Sequence, residues 1–424
     1  MTKQKALKYI YKKQSVIKGF LIQIFAIFGL LTWSKKMNQN EINSENQVQV
    51  KKERDSNFEL LRIFAMFLII MSHQNQHGLW FSPNSSLTMN YFCSSSVFSG
   101  LGAIGNWLFI FVSGYFISEN SFSWKKLFRL WFQVFSISAL IGITTWISKI
   151  AVVPHWAPDA METYNQQGFF AAARQMCLYD LITSFLPSYR SNNWFATAYM
   201  TFFLLMPTLG IITKQISQEE HKKLIIILSA ITVVIPMLPG EVFFRPSSIG
   251  VFILGFFIAK YIRMYNPVFL EKTKRNILFG LSLYALGCLW AVFCTVFVHH
   301  ITVPENYYIA FKSVFLSTNS LSTMLCALVI FCAFRSLKIP YSRFINMIAS
   351  TTFGVYLIHE NLLINKWWWH TVCKLDSFIS SPLLLPYMIL CALVTFAICT
   401  FLELLRKYCL EKPIERILTR RKRT

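Results

Sequence analysis

From Phe58 to the C-terminal region, runs of about 20 apolar residues alternate with short polar connectors, and this alternation sets the expected fold class. The runs predict an all-α integral membrane protein of about ten transmembrane helices, at 58–80, 97–118, 127–149, 194–213, 224–238, 248–265, 277–298, 314–334, 344–364 and 383–405. Such a run is what a helix needs to cross a hydrocarbon core about 30 Å thick. The first run differs from the rest. NFELLRIFAMFLIIMSHQNQHG, from Asn57 to Gly78, sets Arg62 and His73 into an otherwise apolar helix. Eleven positions make about three turns, so the two side chains share a face and lie about 16 Å apart along the axis. Ionisable groups inside a span face a protein interior or a wet cavity, which makes this pair a functional candidate. Glu59, three residues before Arg62, offers the structural alternative, an intrahelical ion pair.

The chain divides into three parts. Residues 1–56 are a basic and polar extension around a short apolar segment, 19–33, which is too short to span and reads as an interfacial or re-entrant helix. Residues 57–407 hold the ten spans, and 408–424 form a basic tail. With Asn57 on the cytoplasmic side, Lys and Arg collect heavily in the cytoplasmic connectors, around Lys125, Lys126 and Arg129 and around Lys272 to Arg275. Outer connectors hold few: Arg174, Arg190, Arg245, Lys312, Lys366 and Lys374. This asymmetry predicts an even number of spans and a cytoplasmic C-terminus. The longest outer loop, 150–193, carries an apolar-periodic piece from Phe169 to Leu186 that reads as one helix lying in the interface.

Composition agrees with a membrane protein: 54% hydrophobic, 14% charged and a mean hydropathy of +0.46. A net charge of +22 could suit nucleic acid, but the basic residues sit in clusters between apolar runs, so they read as topology signals and no nucleic-acid partner is expected. The ten cysteines lie mainly in apolar segments with no Cys-x-x-Cys pair and no His/Cys spacing suited to zinc, so no metal centre is expected. GLGAIG, Gly100 to Gly105, matches a dinucleotide fingerprint but follows no strand, and it reads as a close-packed helix face.

Several stretches taken in order resemble the acyltransferase family 3 membrane proteins. They are Arg62 with His73; FIFVSGYF from Phe109 to Phe116; the basic Lys125, Lys126 and Arg129; NNWFATAYMTFFLLMP from Asn192 to Pro207; VFILGFFIAKY from Val251 to Tyr261; and FGVYLIHE from Phe353 to Glu360. The resemblance implies a multi-pass enzyme of the bacterial cytoplasmic membrane that O-acylates envelope or exported polysaccharide. Its donor would be acyl-CoA, most simply acetyl-CoA as a co-substrate with no bound cofactor. Its acceptor would be a carbohydrate, lipid-linked or free. The family's Arg-x10-His pair maps onto Arg62 and His73. Where the family often has Arg-x-x-Arg, this chain has Lys126 and Arg129, which changes what the first position can do toward phosphate.

On that reading Arg62, Lys125, Lys126 and Arg129 bind the donor's phosphates, and His73 serves either as general base or as a covalent acyl relay. Trp194, His359 and Glu360 support the reaction or line the acceptor site. The Trp367–Trp369 run reads as interfacial aromatics or as a sugar-stacking surface. A transporter or flippase of lipid-linked sugars, or a polysaccharide polymerase, would also use intramembrane ionisable groups, but a transporter commonly shows repeated halves and none are visible here.

Overall fold

The computed structural model describes residues 55–79, 97–116, 123–153, 158–186, 193–237, 248–267, 273–294 and 314–414. The segment 1–54, the Glu241–Arg245 loop, the pair His299 and His300, and the tail beyond 414 lie outside them. The described chain is overwhelmingly helical; its one sheet pairs the two-residue strands Ala151–Val152 and Arg174–Gln175 antiparallel. Among the described residues, seven helices are long and apolar enough to cross a bilayer.

The hub is α1, Ser56–Gln74, rich in Leu, Ile, Phe and Met but interrupted by Glu59, Arg62 and His73, and it continues into a wider π-type turn, Asn75–Leu79. Next come α2, Leu101–Phe116, and α3, Trp124–Ser148, which ends at Lys149 in the left-handed conformation. α2 lies along α1. The GLGAIG glycines make this possible: a Cβ on Gly105 would sit 2.6 Å from the Ala65 carbonyl of α1, and one on Gly102 would meet the Ser72 side chain. Small-residue helix packing is therefore the role of that motif.

Beyond the hub, α4 (Pro158–Gln167), α5 (Phe169–Ala172) and α6 (Leu178–Ser184) fill the long loop. The single interfacial helix predicted over 169–186 is instead split by the strand Arg174–Gln175. Asp180 fixes the second half by accepting from the Cys177 amide at 3.2 Å and from Arg174 at 2.9 Å. Burial opposes its ionisation, but the bonds from Cys177 and Arg174 outweigh that and hold the carboxyl below its usual range. α7, Trp194–Gln215, runs on past Pro207. α8, Gln218–Ser229, opens with a Ser217/Glu220 capping box, and α9 covers Ser248–Tyr265. α10, Thr273–Phe293, and α11, Leu321–Ser336, follow; α12, Arg343–Ala349, and α13, Thr352–His359, precede the short α14, Asn365–Trp367, and the long α15, Leu384–Arg406.

Three of the ten predicted spans take other forms. The run at 224–238 begins at Gln218 and passes from α8 through a π turn into a 3-10 turn at Met237. The run at 314–334 is helical only from Leu321, for 16 residues. The run at 344–364 is broken between α12 and α13, where the hydroxyls of Ser350 and Thr351 bond back to the carbonyls of Met347 and Ile348 and compete with the helical ladder. At the other end, helical structure continues past the expected boundary at 407 to Ile414.

α1 packs against α2, α11, α12, α13 and α15, so it is surrounded. One end of the bundle gathers the start of α1 and the ends of its neighbours. Asn57 Nδ2 donates to the Phe334 carbonyl at 3.0 Å, the Ser342 amide donates to Ser56 Oγ, and Phe58 stacks on Tyr115.

Candidate active site

α1 delivers His73 from its last turn, and α13 delivers His359 and Glu360 at its C-terminal end, 286 residues further on for the His pair. The two histidines meet at 2.9 Å, His73 Nδ1 to His359 Nε2, and Glu360 Oε2 lies equally near His73 Nδ1 at 2.9 Å. Their protons can be assigned from their partners. His359 Nδ1–H donates to the Val355 carbonyl at 2.6 Å, so its Nε2 is the acceptor and His73 Nδ1–H donates to it. In the neutral ring His73 Nε2 then carries no proton, and it makes no hydrogen bond among the described residues. Because the His73 proton is directed at His359, Glu360 Oε2 is an electrostatic neighbour that accepts no hydrogen bond. His359 is buried, as α13 docks on α15 at Gly354, where a Cβ would collide with the Glu403 carboxyl. Glu403 is itself gripped by Arg406 at 2.7 and 2.8 Å and by Gln133 at 2.9 Å.

His77 completes the cluster. It lies one turn after His73, on the same face, and its Nε2–H donates to Glu360 Oε1 at 3.1 Å. The π turn that carries it is fixed from outside by His370, whose Nε2–H donates to the His77 carbonyl at 2.9 Å while its Nδ1 sits 2.7 Å from Asp376. His77 is not among the site residues expected from the sequence, although its four-residue spacing from His73 is a usable signal. Lys366, in the sequence one of the few outer-connector charges, lies beside it. α14 packs against the π turn and holds that lysine buried, which pushes its ammonium down to about 8.

Arg62 is set apart from this cluster by the length of α1. Its Nη1 donates to both oxygens of Glu59, at 3.1 and 3.3 Å, so the alternative foreseen from the sequence is present. The pair uses only one nitrogen: Nε and Nη2 make no hydrogen bond among the described residues, and the side chain is 26% exposed. Lys125, Lys126 and Arg129 are exposed on the first turns of α3, with Arg129 leaning to within 3.9 Å of Glu411 beyond α15. Trp194 opens α7 and is also exposed. Its neighbour Phe195 is the residue that reaches inward, edge-on to Tyr356, which in turn borders His73 and His359. In the Trp run, Trp369 is fully buried and belongs to the core, whereas Trp367 and Trp368 are half-buried, with the Trp368 indole donating to Thr395 at 2.9 Å.

The structure therefore joins His73, His359 and Glu360 into one site and leaves the basic residues at a distance from it. A bare imidazole nitrogen backed by a second imidazole and a carboxylate can accept a proton or an acyl group. No curated protein and no solved structure matches the chain. A family model described as an acyltransferase domain matches residues 55–404, a span that takes in α1 with Arg62 and His73, α13 with His359 and Glu360, and nearly all of α15; the chain belongs to that family and is an integral-membrane acyltransferase.

Proposed function

We propose that the protein moves an acyl group, in the first instance acetyl, from cytoplasmic acyl-CoA to a hydroxyl of an envelope or exported polysaccharide. The observation that carries this reading is the 2.9 Å contact of His73 Nδ1 with His359 Nε2, whose far nitrogen is held by the Val355 carbonyl; this assigns the His73 proton to Nδ1 and leaves Nε2 bare. In the reaction Nε2 takes the acceptor hydroxyl's proton as the oxygen attacks the thioester carbonyl. The tetrahedral intermediate collapses, the C–S bond breaks, and the leaving thiolate recovers the proton from the imidazolium. Glu360, 2.9 Å from Nδ1, stabilises the cation that exists between these events.

Arg62 grips donor phosphate through Nε and Nη2, and the donor's pantetheine arm spans the distance of about 16 Å up α1 to His73. Lys125, Lys126 and Arg129 add positive potential on the same side. His359 positions His73, and Trp194 offers an exposed ring on which an acceptor sugar stacks. In this reading the chain crosses the bacterial cytoplasmic membrane ten times with its C-terminus inside, acyl-CoA is a co-substrate, and the acceptor is presented from the outer side.

The test is proton NMR of envelope polysaccharide from cells expressing the wild type, His73→Ala or Arg62→Ala at equal membrane abundance. O-acetyl signals are expected only with the wild type, on glycan of unchanged amount. Acetylation that persists in both variants overturns the reading; a change in glycan amount or length without a change in acetylation points to transport or polymerisation.

A further inference from the structure

We propose that His73 Nδ1, His359 Nε2 and Glu360 Oε2 form a binding site for a zinc-class divalent metal ion, and that occupancy of this site switches acyl transfer off. The sequence gives no metal spacing, because the ligands come from α1 and α13 and converge only through packing. The three atoms lie within 4.8 Å of one another. Two imidazoles and one carboxylate are a known three-ligand set for zinc, with a fourth position left open. A tetrahedral ion with bonds of about 2.0–2.2 Å holds its ligands about 3.4 Å apart, so the 2.9 Å contacts need to open by about half an ångström, within the reach of side-chain torsions.

An independent observation points the same way. Glu360 Oε2 is buried and accepts no hydrogen bond, although it lies 2.9 Å from His73 Nδ1. A buried carboxylate oxygen left in this state is costly unless a cation reaches it. The supporting contacts are also those of a metal centre: Val355 holds the far nitrogen of His359, and His77 holds the other oxygen of Glu360. The nitrogen-rich donor set selects a zinc-class ion over magnesium or calcium, which take oxygen ligands.

The switch follows from proton bookkeeping on one ring. A metal on Nδ1 displaces the proton there, and Nε2 takes one up, so the ring stays neutral with no net proton released. Nε2–H is then a donor and cannot take a proton from a hydroxyl. This second half rests on the function proposed above; the metal site does not.

The experiment uses chelator-stripped, full-length protein in nanodiscs, titrated with Zn²⁺ against a chromophoric chelator, and with Co²⁺ followed by visible absorption. One ion per chain is expected, with the absorption of tetrahedral Co²⁺. His359→Gln and Glu360→Gln should each weaken Zn²⁺ binding by about tenfold or more. The Co²⁺ spectrum of the wild type keeps the test open if a variant fails to fold. Wild-type protein that binds no Zn²⁺ at micromolar free metal, or two variants that bind as the wild type does, would overturn the site. Zn²⁺-loaded protein that transfers acetyl groups at the metal-free rate would overturn the switch. Protein that binds Zn²⁺ yet transfers nothing with or without metal would keep the site and sink the acyl-transfer reading instead.

Discussion

Two apolar helices of similar length, α1 and α10, sit in opposite surroundings. Within the apolar window of α1, 67% is buried inside the protein; for α10 the figure is 17%. α1 carries Glu59, Arg62, Ser72, His73 and Gln74, with His77 on the π turn that continues it, while α10 has no Asp, Glu, Lys, Arg or His after Arg275. In water the more polar helix would be the outer one. Here lipid solvates apolar side chains, so Leu278, Leu281, Leu286 and Leu289 stay on the outside and the polar groups mark the interior. What fixes the inner face of α10 is size: Gly280 lies against Cys326 and Val329 of α11, and Gly287 against Phe315 and Leu316.

The largest effect that sharpens this contrast is His73→Gln. Glutamine still offers a donor toward His359 but supplies no base, so acyl transfer should fall by about 10²- to 10⁴-fold while membrane abundance and melting temperature stay unchanged. A variant that loses stability and activity together would make the polar row of α1 structural and would break the contrast. Next in size is Leu61→Ala on the same helix. Leu61 is fully buried, and its truncation should cost about 2–5 kcal/mol, read from unfolding in mixed micelles.

Arg62 and His73 were legible because both ride on one helix, whose 3.6-residue period fixes their relative phase. His359 and Glu360 could be named as supporting residues, but their contact with His73 depends on how α13 docks at Gly354, which no local pattern encodes. The clamp of Glu403, Arg406 and Gln133 behind that docking was hidden for the same reason: in the sequence Arg406 is one more basic residue after an apolar run. The break at Ser350 and Thr351 was hidden because hydropathy averages over two polar hydroxyls in a long apolar run. At the start of α7, Trp194 lies exposed while the next residue, Phe195, reaches inward to Tyr356, an inward contact that no local pattern encodes.

A smaller effect separates the two ends of α1. Glu59→Gln keeps a neutral partner for Arg62 but removes the charge that aims it. A partly exposed ion pair is worth up to about 1 kcal/mol, so the KM for acyl-CoA should rise by about fivefold at most with kcat little changed. Equal losses in kcat and in kcat/KM would place Glu59 in the chemistry, not in donor binding.

The smallest expected effect belongs to α10. Leu286 is 61% exposed and faces outward, so Leu286→Ala should change stability by less than about 0.5 kcal/mol in the same unfolding measurement used for Leu61→Ala. The two substitutions delete the same atoms from two apolar helices. In water both leucines would gain from burial; in a bilayer only the one that leaves a cavity among packed side chains is costly to truncate, because lipid chains refill the space left at the other. A loss at Leu286 comparable to that at Leu61 would mean that protein, not lipid, covers this face of α10. A second chain packed along Leu278, Leu286 and Leu289 would then be the explanation, and crosslinking through cysteines introduced at those positions would reveal it.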